Sequence, residues 1–80
     1  MLMMVLALVQ AQPNECRAQP AEVLVGERYR RHVPTRARKL AGASKLRVLW
    51  PGQMTTMDYR ADRLNIRVDH RRLITAVSCG

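Results

Sequence analysis

The chain has 80 residues and a formal net charge of +8, with 14 lysines and arginines against six acidic residues. This length excludes a multidomain architecture, and a domain of this size buries only about 60% of its unfolded surface, so its stability is marginal. This excess of positive charge attracts the protein to anionic surfaces at low salt. The arginines are scattered, however, and only three aromatic residues are present. We therefore interpret them as a solvated basic surface and predict no nucleic-acid partner.

Residues 1–12 have the character of a cleaved secretory signal. Residues 1–9 carry no charge and are almost entirely apolar, and Val9-Gln10-Ala11 offers the small or branched pair that signal peptidase accepts. The apolar run is about half of what a bilayer requires, so it predicts no membrane span. A buried N-terminal strand or helix is the alternative. On the signal-peptide interpretation, residues 13–80 form the mature domain of a secreted or periplasmic protein.

Two cysteines, Cys16 and Cys79, lie near the two ends of that domain. An even count in a small secreted chain favours a disulfide. Such a bond closes a loop of about 60 residues and contributes roughly 4 kcal/mol in the chain-entropy model. Two free thiols in a cytosolic protein are the alternative. His32 and His70 stand at no ligand spacing with the cysteines, so we predict neither a metal site nor a cofactor.

The first regular elements of the domain are a short apolar patch and a helix. Residues 21–26 predict one turn or a short extended piece that packs on the core. Apolar residues then recur at positions i, i+4, i+7 and i+8, which predicts one apolar stripe of an amphipathic helix. These residues are Val33, Ala37, Leu40 and Ala41. We expect this helix to begin near Arg31, with Pro34 in its first turn, and to end at Gly42.

After the helix, the hydrophobic period changes to that of β-strands. Alternation predicts one strand with Leu46, Val48 and Trp50 buried, and a second with Leu64, Ile66 and Val68 buried. Residues 73–77 begin a last strand that ends at Cys79-Gly80. The last two strands, joined by a tight turn, should be antiparallel, and the first two have room for a parallel crossover. The fold class is therefore α+β, with one amphipathic helix packed on a small mixed sheet of about three strands.

A long stretch, residues 51–65, contains the connection between the first two strands. It opens with Pro51-Gly52, and a loop of about a dozen residues in so small a protein is more often functional than connective. Its centre lacks glycine and favours an extended chain. We expect Asp58 to form an ion pair with Arg63, with Asn65 or Arg67 as neighbours on the same strand face. The loop also holds the only methionines beyond the leader, Met54 and Met57, whose alternative role is to fill gaps in the core.

No catalytic constellation accompanies this loop. The chain shows no Ser or Cys within plausible range of a His, no paired carboxylates in an apolar setting and no phosphate-binding glycine loop. We therefore predict that the protein is not an enzyme.

Several segments together resemble a known family. They are Leu24-Val25-Gly26, Arg47-Val48-Leu49 with Pro51-Gly52, Thr56-Met57-Asp58-Tyr59-Arg60, Asp62-Arg63-Leu64-Asn65 and Cys79-Gly80. Across residues 16–80 the chain looks like the small serine-protease inhibitors typified by fungal elastase inhibitors. That family is similar in turn to potato inhibitor I and the leech inhibitor eglin c. The resemblance implies a helix against a small sheet with an exposed reactive loop.

The resemblance also implies roles for individual residues. The loop would enter a protease cleft in extended form, with Met57-Asp58 as the scissile bond and Met57 in the primary specificity pocket. The remaining contacts with the protease would come from Met54, Thr55, Thr56 and Tyr59. Arg63 would support the loop through Asp58 or Thr56. The unbranched, apolar Met57 predicts elastase-, chymotrypsin- or subtilisin-like targets and poor inhibition of trypsin.

Two positions depart from the family pattern. Asn65 stands where eglin-like members have a second supporting arginine, so Asn65 itself or Arg67 is expected to complete the support. Arg72 stands where closer relatives usually have glycine in the last turn, and a positive φ there would strain an arginine.

Two other functions remain open. A secreted basic module that binds anionic surfaces without inhibiting proteases is the alternative function, and an inactive relative is a further one. For the inhibitor, the expected partner is a serine protease and the expected state is a monomer.

Overall fold

The computed structural model describes residues 15–80. The predicted signal peptide, residues 1–12, and the first two residues of the predicted domain lie outside the described residues. Within residues 15–80, no helix has both the length and the apolar character required to cross a membrane.

The described chain contains a short 3-10 helix, one α-helix and three β-strands. In chain order these are the 3-10 helix Gln19–Leu24, helix α1 Val33–Ala41, strand β1 Lys45–Leu49, strand β2 Arg63–Val68 and strand β3 Ile74–Cys79. The helices pack against one face of a mixed sheet in which β2 is central. The predicted α+β class, with one α-helix on a three-stranded mixed sheet, is confirmed.

The directions of the three strands agree with those expected from the sequence. β1 and β2 are parallel, with Leu46 opposite Leu64. β2 and β3 are antiparallel, with Leu64 opposite Cys79 and Ile66 opposite Val77, and a bulge interrupts the ladder at Arg67. Parallel strands need a crossover connection, and residues 50–62 supply it.

Helix α1 covers the sheet with its predicted stripe. It begins at Val33, slightly later than the expected Arg31, because a turn closed by the Val33 N–H and the Arg30 carbonyl at 3.0 Å precedes it. Pro34 lies in the first turn, where no intrahelical donor is needed. Gly42 ends the helix in the left-handed conformation at φ 62°. The buried residues shared by the helices and β2 include Ala21, Leu24, Val33, Ala37, Ala41, Leu64, Ile66 and Val68.

The prediction for the end of β1 was wrong. Trp50 lies outside the strand and is 38% exposed, whereas Leu49 is the buried residue. The reason is the Pro51-Gly52 turn, in which the Trp50 carbonyl already accepts the Gln53 N–H at 3.1 Å, so Trp50 has left the ladder. Its ring instead meets Tyr29 edge to face, with the ring centroids 5.3 Å apart.

Cys16 and Cys79 form the predicted disulfide, with a Cα–Cα distance of 5.7 Å and a sequence separation of 63 residues. Cys16 is buried against the core and Cys79 ends β3. A loop of this size corresponds to roughly 4 kcal/mol of stabilisation in the chain-entropy model. The bond therefore adds a covalent closure to a core that is small for an independent domain.

The turn between β2 and β3 keeps the strained conformation that was expected of a glycine. Arg72 has φ 65°, the only positive φ at a non-glycine residue in the described chain. Asp69 stabilises the turn by accepting the N–H groups of Arg71 and Leu73 at 2.8 and 2.9 Å. Residues 26–29 run alongside, because Tyr29 donates its N–H to the Arg72 carbonyl at 2.7 Å.

Candidate functional site

The candidate site is the connecting loop, residues 50–62, together with the outer face of the sheet. The loop starts with a turn in which Gly52 has φ 75°, as a type II turn requires at its third position. The Gln53 side-chain oxygen accepts the Trp50 N–H at 3.2 Å and reinforces this turn. At the other end, the Arg63 N–H reaches the Arg60 carbonyl at 3.2 Å. Both ends of the loop are therefore anchored to the sheet by defined turns.

The centre of the loop has no regular secondary structure and is open to solvent. Met54 is 96% exposed, Met57 100% and Tyr59 75%. Neither methionine fills a gap in the core. Among residues 15–80, no main-chain partner accepts an N–H group from residues 54–59. A segment whose main-chain N–H groups make no such bonds is able to pair with the main chain of a partner.

Arg63 supports the loop from below. This residue is only 8% exposed at the start of β2, and its side chain lies on the face away from α1. The guanidinium donates to the Asp58 carbonyl at 2.8 Å and to the Asp58 carboxylate at 3.2 Å. Its Nε donates to the main-chain oxygen of Gly80 at 2.8 Å. The ion pair expected between Asp58 and Arg63 is therefore present, and Arg63 ties the loop to the last residue of the chain.

Arg47 provides a second support that the sequence reasoning missed. It lies on β1 directly opposite Asn65, because the parallel register pairs these two positions. Its Nε donates to the Asn65 side-chain oxygen at 2.9 Å. One terminal nitrogen lies 3.5 Å from the Thr56 hydroxyl and 3.6 Å from the Asp58 carboxylate. The signal available in the sequence was strand alternation, which puts Arg47 on the face that carries Arg63.

Asp58 is held as a carboxylate by these contacts. The Thr56 hydroxyl donates a hydrogen bond to it, and Arg63 adds a hydrogen bond and a nearby positive charge. Together they lower the pKa of Asp58 from its ordinary 3.8 to about 2. The residues on both sides of Met57 are thus tied together through Asp58, while the Met57 side chain projects into solvent.

The C-terminal end of the loop is fixed by contacts with Gly80 and Cys16. Gly80 donates its N–H to the Arg63 carbonyl at 3.0 Å, and a Cβ at Gly80 would lie 3.2 Å from the Tyr59 ring. Only glycine allows this close approach without displacing the ring. The Cys16 N–H reaches the Ala61 carbonyl at 2.8 Å. Cys16 and the residue that follows Cys79 therefore both contact the base of the loop.

The residues expected to complete the support have different positions. Asn65 is buried and acts through Arg47, so it supports the loop indirectly. Arg67 is exposed and, within residues 15–80, donates no side-chain hydrogen bond to the loop. Its side chain instead lines a cleft of about 310 Å³ between the first half of the loop and the β2–β3 turn. Trp50, Gln53, Thr55 and His70 also line this cleft.

The described residues hold no group of three or more His, Cys, Asp or Glu side chains with the geometry of a metal site. The site combines an exposed loop, an exposed apolar side chain and two arginines beneath it. Asp62 is also held in its charged form, since Arg60 and then Ser44 lower its pKa by hydrogen bonding.

Comparison with known proteins places the chain in a family. Residues 16–80 match the family model described as the peptidase inhibitor I78 family. The chain is 34% identical over 73 residues to the elastase inhibitor AFLEI of Aspergillus fumigatus strain CEA10, an alignment that covers 88% of this chain and 79% of that protein. The elastase inhibitor AFUEI of Aspergillus fumigatus strain Af293 matches at the same identity and coverage.

A solved structure has a similar fold. The crystal structure of the elastase inhibitor AFUEI, crystal form II, superposes with a TM-score of 0.65 at 33% sequence identity. The superposition covers 86% of this chain and all of the other. The match of the family model over the whole described domain and the identity to these relatives show that this chain belongs to the peptidase inhibitor I78 family.

Proposed function

We propose that the protein inhibits serine endopeptidases by presenting the loop as a substrate, with Met57-Asp58 as the bond that enters the active site. The main observation behind this proposal is the difference between Met57 and its two neighbours in exposure and in side-chain contacts. Met57 is fully exposed, whereas its neighbours Thr56 and Asp58 are joined to each other and to Arg63 and Arg47. The elastase inhibitors similar to this chain support the protease-inhibitor class.

The contacts explain how a substrate-like loop would resist cleavage. A free peptide loses conformational entropy when it becomes extended in a protease cleft, and a loop that is already ordered loses less. If the bond were cut, Asp58 would remain attached to Arg63 and Thr56 would remain attached to Arg47 and Asp58. The two new chain ends would stay close together, which favours resealing over release. This is the mechanism that the resemblance to potato inhibitor I implies.

Met57 sets the expected target class. A long, unbranched apolar side chain fits an apolar primary pocket, as in elastase-, chymotrypsin- and subtilisin-like proteases. It leaves an acidic pocket such as that of trypsin without a charge partner, and this mismatch weakens binding to trypsin and so creates selectivity. Thr55, Thr56 and Tyr59 then supply the adjoining contacts along the extended chain.

The test is an inhibition panel with Met57→Lys and its matched control Met54→Lys. The two methionines lie in the same loop and are almost equally exposed. The wild-type protein should inhibit at least one protease with an apolar pocket. Met57→Lys should weaken that inhibition and gain inhibition of trypsin, whereas Met54→Lys should gain no inhibition of trypsin. If the wild-type protein, with its disulfide formed, inhibits none of the three protease classes with apolar pockets, the proposal is wrong.

The same proposal includes the context in which the inhibitor works. We propose that residues 1–12 are removed as a signal peptide, and that residues 13–80 act as a monomeric, secreted or periplasmic inhibitor domain. The Cys16–Cys79 disulfide supports an oxidising compartment. Mass spectrometry of the exported protein would show a new N-terminus near residue 13, and retention of Met1 would contradict the signal peptide.

A further inference from the structure

A second charged surface lies at the other end of β2. The segment 26–29 runs antiparallel to the start of β3, with a bridge between Arg28 and Leu73 and a hydrogen bond from Tyr29 to Arg72. This pairing brings together arginines that are far apart in sequence. We call the resulting patch the basic pole; it consists of Arg28, Arg30, Arg31, Arg71 and Arg72, all exposed.

We propose that the basic pole binds an acidic polysaccharide carrying sulfate or uronate groups. Guanidinium groups bind such anions through two parallel hydrogen bonds, and a group of them binds a repeating anion more strongly than one does alone. This function is separate from the loop and does not depend on the proposed inhibition.

The positive charge of the pole is not neutralised by ion pairs within residues 15–80. All six acidic residues are within this range, and none forms an ion pair with an arginine of the pole. Glu27 pairs with Arg36 at 3.2 Å, and the carboxylates of the loop region pair with arginines there. Asp69 uses one carboxylate oxygen to accept main-chain N–H groups in the turn. The pole therefore offers five guanidinium groups without an internal carboxylate partner.

Arg72 adds an independent observation. It holds φ at 65°, a left-handed conformation that is unfavourable for an L-residue with a side chain relative to the right-handed region. Glycine would adopt the same turn without this cost. A strained residue is tolerated where the side chain has a use, and this side chain is an exposed arginine in the pole.

The surroundings of the pole favour a flexible polysaccharide over a duplex or a bilayer. The cleft of about 310 Å³ adjoins the pole at the β2–β3 turn, and its walls include Trp50, Arg67, His70 and one acidic residue, Asp69. A flexible sugar chain can follow a curved surface into such a cleft, whereas a rigid duplex or a membrane surface cannot. The disulfide also indicates an oxidising compartment, where acidic polysaccharides are common polyanions.

The pole and the loop can be occupied together. β2 runs from Arg63, beneath Asp58, to Val68, next to the β2–β3 turn. Six residues of strand separate the two by about 17 Å. A polysaccharide confined to the pole would therefore hold the protein in place while Met57 stays accessible, whereas one that extends into the cleft would also meet Gln53 and Thr55 of the loop.

The test uses a sulfated heparin decasaccharide and an unsulfated oligogalacturonate, with a DNA duplex and phosphatidylglycerol vesicles as comparators. The pole variant is Arg30→Gln/Arg31→Gln/Arg71→Gln. Its matched control removes the same charge from exposed residues near the opposite end of α1, as Arg17→Gln/Arg38→Gln/Lys39→Gln. Affinity is measured between about 50 and 200 mM salt, the range over which electrostatic binding falls steeply.

The pole variant should bind at least one of the two oligosaccharides roughly tenfold more weakly and lower the salt slope by about three, while the control changes Kd less than about twofold. The two oligosaccharides decide between sulfate and uronate recognition. Equal weakening in both variants would show that total charge, and not the pole, is responsible. Tighter binding of DNA or vesicles, or no binding of either oligosaccharide, would also overturn the proposal. Protease inhibition should be the same in all three proteins, which checks their folding.

Discussion

Arginine serves opposite purposes at the two ends of strand β2. Beneath the loop, Arg63 is 8% exposed and binds Asp58 and Gly80. At the basic pole, the arginines are exposed and have no carboxylate partner within residues 15–80. The same residue type therefore supports a loop from within in one region and offers charge to the solvent in the other.

The difference follows from where the acidic residues lie. Two of the six carboxylates, Asp58 and Asp62, lie in the connecting loop and pair with arginines near it. A buried guanidinium without a partner would be costly, so Arg63 is tolerated only because its hydrogen bonds are satisfied. The exposed arginines are hydrated and need no such partner. The two regions should accordingly respond differently to the same kind of substitution.

The largest difference should come from Arg63→Met compared with Arg67→Met. Both arginines lie on the outer face of β2, but only Arg63 contacts the loop. Because a hydrogen bond to a charged group is worth a factor of roughly ten to a hundred, we expect Ki for the target protease to rise about a hundredfold in Arg63→Met. Arg67→Met should leave Ki unchanged. Equal effects on Ki would mean that Arg67 supports the loop as originally expected.

A smaller effect should follow from exchanging Arg47 and Asn65. Arg47→Asn alone removes the second support, and Ki should rise about tenfold. The double variant Arg47→Asn/Asn65→Arg moves the guanidinium to the neighbouring strand at the same register position. It should recover most of the inhibition, which a double-mutant cycle measures as coupling between the two sites. Additive losses would show that Arg47 acts only as a surface charge.

A smaller effect is expected on the titration of the Asp58 carboxyl group, which NMR can follow. Its pKa in the folded protein is about 2, below its ordinary 3.8, so the supported loop is favoured above about pH 4 and the support is lost as pH falls through 2. Carboxyl carbon-13 NMR should show a midpoint near 2. Thr56→Val removes the largest cause and should move the midpoint upward. Asp62 serves as an internal comparison, because Arg60 and Ser44, and not Thr56, lower its pKa.

The smallest expected change is in stability at the basic pole. Arg72→Gly relieves the positive φ and should raise the free energy of unfolding by about 1 kcal/mol. Arg71→Gly is the control, since Arg71 has no positive φ, and it should lower stability through the added chain entropy. Both remove one charge from the pole and should weaken oligosaccharide binding alike. Urea unfolding compares the two, and destabilisation by Arg72→Gly would contradict the strain argument.

Much of the fold could be predicted because strand and helix periods are local properties. The stripe from Val33 to Ala41 and the alternation in β2 identified the faces that are buried in the core. The disulfide could be inferred because only two cysteines exist. Trp50 was misplaced because alternation does not reveal where a Pro-Gly turn removes the chain from a ladder.

The candidate site was only partly predictable for a related reason. Asp58 and Arg63 are five positions apart, so their contact could be anticipated from the loop and the following strand. Arg47 is opposite Asn65 only because β1 and β2 pair in one particular parallel register. The second support therefore could not be assigned to the correct strand before that register was known.

By itself, the sequence determined the elements, the cysteine pair, the position of the long loop and its apolar Met57. The tertiary structure alone decided which distant side chains meet. It brings Arg47 to Thr56 and Asp58, and it brings Gly80 to Arg63. It also gathers scattered arginines into the basic pole. The physical reason is that the alternation of buried and exposed side chains depends on local backbone geometry. Strand register and the contacts of Gly80 depend instead on packing between parts of the chain that are distant in sequence.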